Sequence, residues 1–255
     1  MTHDYISFNP FRSIGIPSVK HLKPENMYAR LSDIQQAEYI LFPEYWQVNA
    51  LVYALKKKIF PSISSYHLGH DKVEMTRSLM AFCPVNVLDT GIYSSASIEF
   101  DVLADRFGVP FVCKEIRSSC GLGVFLIQSK EEFCNFARQN PVVYAQKYLE
   151  MDRDMRIVII GNQVVAAYWK IRAPGSFHNN VARGGHIDRT NIPAQVVDVI
   201  SGVALALDID HAGFDVAISE EGIFLLEFNL FFGTKGILET SSLLGSLIHH
   251  YLQSR

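Results

Sequence analysis

Hydrophobic and polar positions along the chain alternate between a period near two and a period near 3.6, and each change of period marks a new element. YILFPEYW (residues 39–46) and VNALVYALKKKIFPSI (residues 48–63) predict a short apolar strand, a helix of about two turns ending in Lys56, Lys57 and Lys58, and a second strand. A helix is expected from Asp71 through the segment KVEMTRSLMAF, and another in SIEFDVLADRFG, with Gly108 at its C′ position. PFVCKEIRSSCGLGVFLIQ holds two Val/Ile/Phe-rich runs around a loop of small residues, which predicts a hairpin with a long turn. Ser129, with Glu132 three residues on, forms a capping box that opens a helix.

VVYAQKYLE is a strand. MRIVIIGNQVVAAYWKIR is two more, turning at Gly161 and Asn162. The polar tract RAPGSFHNNVARGG is a loop. Between Ile192 and Asp208 the positions Val196, Val199, Ile200, Val203, Ala206 and Leu207 recur at helical spacing, with Pro193 in the first turn. GFDVAISEEGIFLLEFN is a hairpin, and LETSSLLGSLIHHYLQ closes the chain as a helix carrying His249 and His250. This order of elements is α/β (α+β), with a division expected near residue 65.

At 255 residues and 49 % hydrophobic, the chain can bury a large core. Its formal net charge of −3 lacks the basic footprint of a nucleic-acid binder. No apolar run is long enough for a membrane span, and MTHDYISFNP is no signal peptide, so a cytoplasmic protein is expected. Cys83, Cys113, Cys120 and Cys134 form no CxxC pair and read as buried or spare thiols. SSCGLG lies between two strands, whereas the Walker A and dinucleotide loops both lead into a helix, so neither motif fits. It is either a plain turn or a small-residue loop that closes over phosphates.

The last hairpin carries the sharpest chemistry. With a three-residue turn, Glu220–Gly222, Ser219 faces Ile223 and Asp215 faces Glu227, while Asn229 projects to the same side. Two neighbouring carboxylates repel and raise one pKa unless a cation lies between them, and a set of oxygen donors suits Mg²⁺ or Mn²⁺. The competing reading is an exposed cross-strand pair. It sits poorly with Leu225, Leu226, Phe228 and Leu230 around the acids.

From Lys114 onward the chain resembles the ATP-grasp superfamily, in particular its RimK-like, glutamate-ligase-type branch. The resemblance rests on the Asp215, Glu227, Asn229 spacing, on FHNN and RGG (residues 177–185), on the order of elements, and upstream on Asp71–Lys72. It implies an ATP-grasp fold with two α+β subdomains gripping ATP. A short α/β region, residues 1–65, would precede the grasp domain, residues 66–255, divided into a lid subdomain (about 84–145) and a metal-site subdomain (about 146–255).

The same resemblance implies the site residues. Lys114 and Lys72 would reach the ATP phosphates, although a bare strand lysine could equally point to water. Ser118 to Gly123, with Ser119, Gly121 and Gly123, would form the lid over them. Gln146, Lys147, Tyr148 and Leu149 would be the hinge whose backbone bonds adenine, and Asp154 would take the ribose hydroxyls, with Glu150 or Asp152 as substitutes. Asp215, Glu227 and Asn229 would hold Mg²⁺ or Mn²⁺, and Arg172, Asn180 and Arg183 would surround the transferred phosphoryl group.

Lys147 in place of an acidic hinge residue, Phe232 in place of proline, and His178–Asn179 depart from the family pattern. The implied activity is ATP-dependent amide formation from a small-molecule or peptide carboxylate and an amine, through an acylphosphate. An ATP-grasp kinase without ligation and a non-catalytic ATP-binding regulator are the alternatives. A homo-oligomer is expected from the same likeness.

Overall fold

The computed structural model describes residues 4–118, 123–172, 185–238 and 241–255. The first sheet contains β1 (Tyr5–Ser7), β2 (Val19–His21), β3 (Tyr39–Leu41) and β4 (Lys58–Phe60), all parallel, in the order β2-β1-β3-β4. Its inner strands are apolar on both faces because both are covered, as parallel strands require. Helix α1 (Leu31–Gln36) and helix α2 (Tyr45–Asn49), prolonged by a π-helical turn to Ala54, bury Ile34, Val48 and Leu51 against it.

Helix α3 (Ile63–His70) follows, so residue 65 lies within a helix. The Ser62 hydroxyl caps α3, and Ser62 and Ser65 both donate to the Asp210 carboxylate on the opposite half of the molecule. This stretch is a tie between the two halves and does not read as a linker. Helix α4 (Lys72–Phe82) starts where the sequence predicts, with Asp71 accepting from the Val73 N–H at 2.9 Å.

The second sheet, antiparallel in the order β5-β8-β6-β7, contains β5 (Thr90–Ser94), β6 (Phe111–Lys114), β7 (Val124–Ile127) and β8 (Val142–Lys147). Helices α5 (Phe100–Phe107) and α6 (Lys130–Gln139) cover its back, packing Leu103, Phe133 and Phe136 against Phe111, Cys113 and Val143. Gly108 ends α5 as its C-cap, one position before the expected C′ place, at φ +77 and ψ 176, a conformation open to glycine. At the start of α6 Ser129 accepts from Glu132 N–H, but the Glu132 carboxylate accepts from Gln128 rather than from Ser129. Cys83, Cys113 and Cys134 are unpaired thiols, and burial pushes the Cys113 thiol up to about 12.

The third sheet is β11-β10-β9-β12-β13, antiparallel throughout. Its strands are β9 (Arg153–Ile160), β10 (Gln163–Ile171), β11 (His186–Asp188), β12 (His211–Ser219) and β13 (Gly222–Asn229), with α7 (Ala194–Ala206) between β11 and β12 and α8 (Ser241–Gln253) after β13. Helix α7 buries Val196, Ile200 and Val203 against Met155, Ile157, Phe214 and Val216. Pro193 lies one position before the predicted first turn, as the N-cap, where its fixed φ suits the extended entry.

The opposite face of this sheet meets α8 and the first sheet at one end, through Val158, Ile160, Ile248, Leu252, Tyr5 and Phe60. His249 is partly drawn into this contact, its Nδ1 lying 3.2 Å from the Tyr5 hydroxyl, while His250 stays exposed. Helix α4 bridges the second and third sheets: Thr76 bonds the Tyr144 hydroxyl at 2.8 Å, and Met75 packs against Phe228. Among the described residues no helix is long and apolar enough to cross a membrane.

Candidate active site

Two bulges decide which side chains face the cleft. The β12–β13 turn is a two-residue one, with Ser219 opposite Gly222 and Ile218 opposite Ile223, which corrects the expected three-residue turn. Carried on unbroken, that register would set Asp215 against Leu226. One extra residue in β13 shifts the ladder between Val216 and Asp215, so Asp215 faces Glu227 after all. The β9–β10 hairpin turns at Gly161–Asn162 as predicted and then shifts between Val164 and Ala166. That second shift sets Lys170 across from Asp154, and Tyr168 across from Arg156. Because a slip of one residue sends every side chain to the other face, these two irregularities assemble the charged patch.

Asp215 is 6 % exposed and lies on the strand between Arg156 and Glu227. Arg156 donates to both of its oxygens, at 2.7 and 2.8 Å, and Lys170 approaches Oδ1 at 2.7 Å. The expected repulsion between Asp215 and Glu227 is therefore answered by cations of the protein. Burial would raise the Asp215 pKa, but Arg156 and Lys170 overcome it and hold the carboxyl at about 2. Lys170 also reaches Asp154 at 3.0 Å, and burial pushes that second carboxyl upward. Asp154 Oδ1 is buried without a hydrogen-bond partner among the described residues.

From the other side come the lysines. Strand β6 lies between β8 and β7, so Lys114 is no edge residue: it is 7 % exposed, its ammonium 5.7 Å from the Tyr144 ring centroid. Burial lowers the Lys114 pKa, while Glu227 and Asp215 oppose the shift. Lys72, at the first turn of α4, donates to the Ser118 carbonyl at 2.7 Å and stands 3.5 Å from a Glu227 oxygen. Asn229 Nδ2 donates to the other Glu227 oxygen at 3.1 Å, which leaves its amide oxygen for another partner. Among the described residues no three His, Cys, Asp or Glu form a cluster that could hold a metal ion.

At the hinge end, Gln146 is buried in β8 and donates to the Thr90 hydroxyl at 2.8 Å. Lys147 gives its backbone N–H to Asp89 and its ammonium to both Glu221 oxygens at 2.8 Å, so its hinge contacts are spent within the protein. Leu149, with Met151, Leu226 and Phe224, lines an apolar cluster beside the hinge. Tyr148, between Lys147 and Leu149 in the chain, is partly buried. Asp152 is exposed and paired with Arg153, and Arg172 gives its backbone N–H to the Asp152 carbonyl. Gly123 is tightly enclosed, since an added Cβ would lie 2.2 Å from the Ser118 hydroxyl. Ser119, Gly121, Asn180 and Arg183 lie outside the described residues.

Sequence reasoning passed over Arg156 and Lys170. For Lys170 the signal is present, since it is a lone charge in an apolar strand, as Lys114 is, whereas Arg156 shares β9 with Arg153 and Asp154. At the far end of the patch, Phe232 stacks on His211 with centroids 4.8 Å apart, and Gly213 leaves room for Phe232 and Arg156, each within 3 Å of where a Cβ would stand. His211 is fully enclosed by Phe42, Phe60 and Phe232, and its Nδ1–H donates to the Leu230 carbonyl. Burial drives its pKa down to about 3. A folded-state value below the unfolded one means that the contribution is present above about 6.5 and is lost as pH falls toward 3. Urea titrations should therefore show stability falling over that interval, and His211→Phe should flatten the slope by up to about 1.4 kcal/mol per pH unit. Equal slopes for both proteins would contradict the assignment.

Two α+β halves whose facing sheets bring lysines from one side and carboxylates from the other make this an ATP-grasp fold. The chain belongs to the RimK-like ATP-grasp domain family, which matches residues 70–245. It is 29 % identical over 196 residues to a probable alpha-L-glutamate ligase of Enterobacter sp., an alignment covering 71 % of this chain and 65 % of that protein. It is 28 % identical, with the same coverage, to the ribosomal protein bS6–L-glutamate ligase of Salmonella paratyphi B. The match thus spans 65 % of these relatives' own length. The D-alanine–D-alanine ligase of Bacillus anthracis superposes with a TM-score of 0.73 at 14 % identity, covering 100 % of this chain and 98 % of that one.

Proposed function

We propose that the protein is an ATP-dependent carboxylate–amine ligase that forms an amide or peptide bond through an acylphosphate and releases ADP and phosphate. The observation that carries this reading is the meeting of Lys72 and Lys114 with Asp215, Glu227 and Asn229 in a member of the RimK-like family. Buried lysines beside buried carboxylates are costly as a bare structural device, and a polyphosphate with its cation would balance both.

The apolar cluster of Leu149, Met151, Phe224 and Leu226 would take the adenine ring, with Tyr148 and Leu149 supplying backbone contacts. Asp154, through its unpartnered oxygen, would accept from a ribose hydroxyl. Lys72 and Lys114 would neutralise phosphate oxygens. Asp215, Glu227 and Asn229 would hold Mg²⁺; the oxygen donors of Glu227 and Asn229 fit it, while the Asp215 oxygens are engaged by Arg156 and Lys170 in this structure and would have to be shared with the ion. When bound, that ion supplies charge neutralisation at the transferring phosphoryl group. The substrate carboxylate attacks the γ-phosphorus, ADP leaves, and the amine then displaces phosphate from the acyl carbon. The protein mainly positions and neutralises, so no nucleophilic side chain is required. Arg172, Asn180 and Arg183 would add positive charge and donors around the phosphoryl oxygens.

The unpaired thiols suit a cytoplasmic setting. Because the curated relatives are named glutamate ligases, L-glutamate is the first amine to offer. ADP release should require both an amine and a carboxylate substrate and should yield a product heavier by the condensed amino acid. ADP release with the carboxylate alone would identify a kinase, and nucleotide binding without turnover a regulator.

A further inference from the structure

Arg12 is a cation that the proposed chemistry leaves unused. It lies in the loop between β1 and β2, with its guanidinium carbon 4.5 Å from the centroid of the Phe231 ring. It is half-buried, and among the described residues it has neither an ion pair nor a side-chain hydrogen bond. Burial lowers its pKa, and no carboxylate offsets that. A guanidinium withdrawn from water without a counter-ion is costly unless an anion arrives.

The loop is held firmly. Asn9 accepts from the Arg12 N–H at 3.1 Å, and the Ser13 hydroxyl lies 2.9 Å from His21 Nε2. Gly15, at φ +86, lies against α8 so closely that an added Cβ would stand 2.4 Å from the Ser242 carbonyl oxygen. Phe231 is held as well: its neighbours Leu230 and Phe232 are buried, while it remains 45 % exposed with Tyr66 edge-on at 6.1 Å. The guanidinium lies over the ring, and its side-chain N–H donors make no hydrogen bond among the described residues.

Position along the chain tells which ligand belongs here. Phe224 and Leu226 lie toward the hinge end of β13, Glu227 and Asn229 at its far end, where Asn229 is the last residue, and Phe231 two residues beyond, about 7 Å further along an extended chain. The nucleotide occupies the hinge end and the two lysines serve its phosphates, so Arg12 faces the other substrate. An amino acid that donates its amine keeps its own carboxylate through both steps, and the planar guanidinium matches that group with two parallel hydrogen bonds.

We propose that Arg12, lying over Phe231, forms the subsite for the free α-carboxylate of the amino acid whose amine is ligated. This rests on the ligase reading above.

The test compares amino acids with their α-carboxamides, L-glutamate and L-alanine first, in wild type, Arg12→Gln and Arg12→Lys, each checked for native circular dichroism. In wild type the amino acid should be preferred over its amide by at least about 30-fold in kcat/KM, the difference lying in KM. Arg12→Gln should bring the ratio to within about threefold, and Arg12→Lys should fall between, because a point charge replaces the planar fork. A preference that survives in Arg12→Gln, or none in wild type, overturns the proposal. If no pair releases ADP, the ligase reading fails by itself. Calorimetric titration of the same amino acids and amides into protein loaded with a non-hydrolysable ATP analogue then decides, since carboxylate-dependent binding must disappear in Arg12→Gln, and equal binding by both proteins rejects the subsite.

Discussion

Glu227→Gln is expected to lower Mg-ATP turnover at least about 100-fold while leaving the unfolding transition close to that of wild type. The substitution preserves shape, and the amide oxygen can still accept from Asn229 Nδ2. What disappears is one negative charge facing Lys72 at 3.5 Å and opposite Asp215 on the neighbouring strand. With the side chain 20 % exposed, the structural cost should be small. ADP release under saturating ATP, set beside a thermal melt, separates the two effects. A folded variant that turns over at the wild-type rate would remove Glu227 from the site.

Arg156→Met is expected to destabilise the fold by about 3–5 kcal/mol, the largest stability effect anticipated for a single substitution here. Arg156 supplies two of the three close cationic contacts to Asp215, and both partners are nearly inaccessible to water. Removing it leaves Lys170 shared between Asp154 and Asp215. The double variant Arg156→Met/Asp215→Leu should be less destabilised than Arg156→Met, because it leaves the Lys170–Asp154 pair matched and buries no orphaned charge. Urea midpoints at neutral pH measure wild type, the single variants Arg156→Met and Asp215→Leu, and the double variant. If the losses in the two single variants simply added in the double variant, the pair would not be coupled as the geometry requires.

The fold was legible to the extent that local chemistry writes it. Asp71 and Ser129 cap helices as predicted, Gly108 ends one, Gly161–Asn162 turns a hairpin, and Lys114 stands out as a lone charge in an apolar strand. Each signal involves residues within a few positions of one another, where backbone preferences act directly. The candidate site was half legible. Asp215 was paired with Glu227 from a turn that does not form, and the pairing holds only because the bulge in β13 adds the residue that the shorter turn lacks.

Arg156, Lys170 and Asp154 were not read as one network with Asp215, because they meet across β9, β10 and β12. Their alignment depends on a ladder shift near Val165 and on the order of strands in the sheet. Next to the division expected near residue 65, Ser62 and Ser65 bond to Asp210, some 145 residues away, and no local pattern announces such a contact.

Residue order and side-chain chemistry thus sufficed for the kinds of element, their sequence along the chain and the family likeness, since caps, turns and periodicity are short-range properties. The partners of each charge were settled only by packing. A sheet adds the registers of several strands, and a single extra residue in one of them decides whether a carboxylate meets an arginine, a lysine or a leucine.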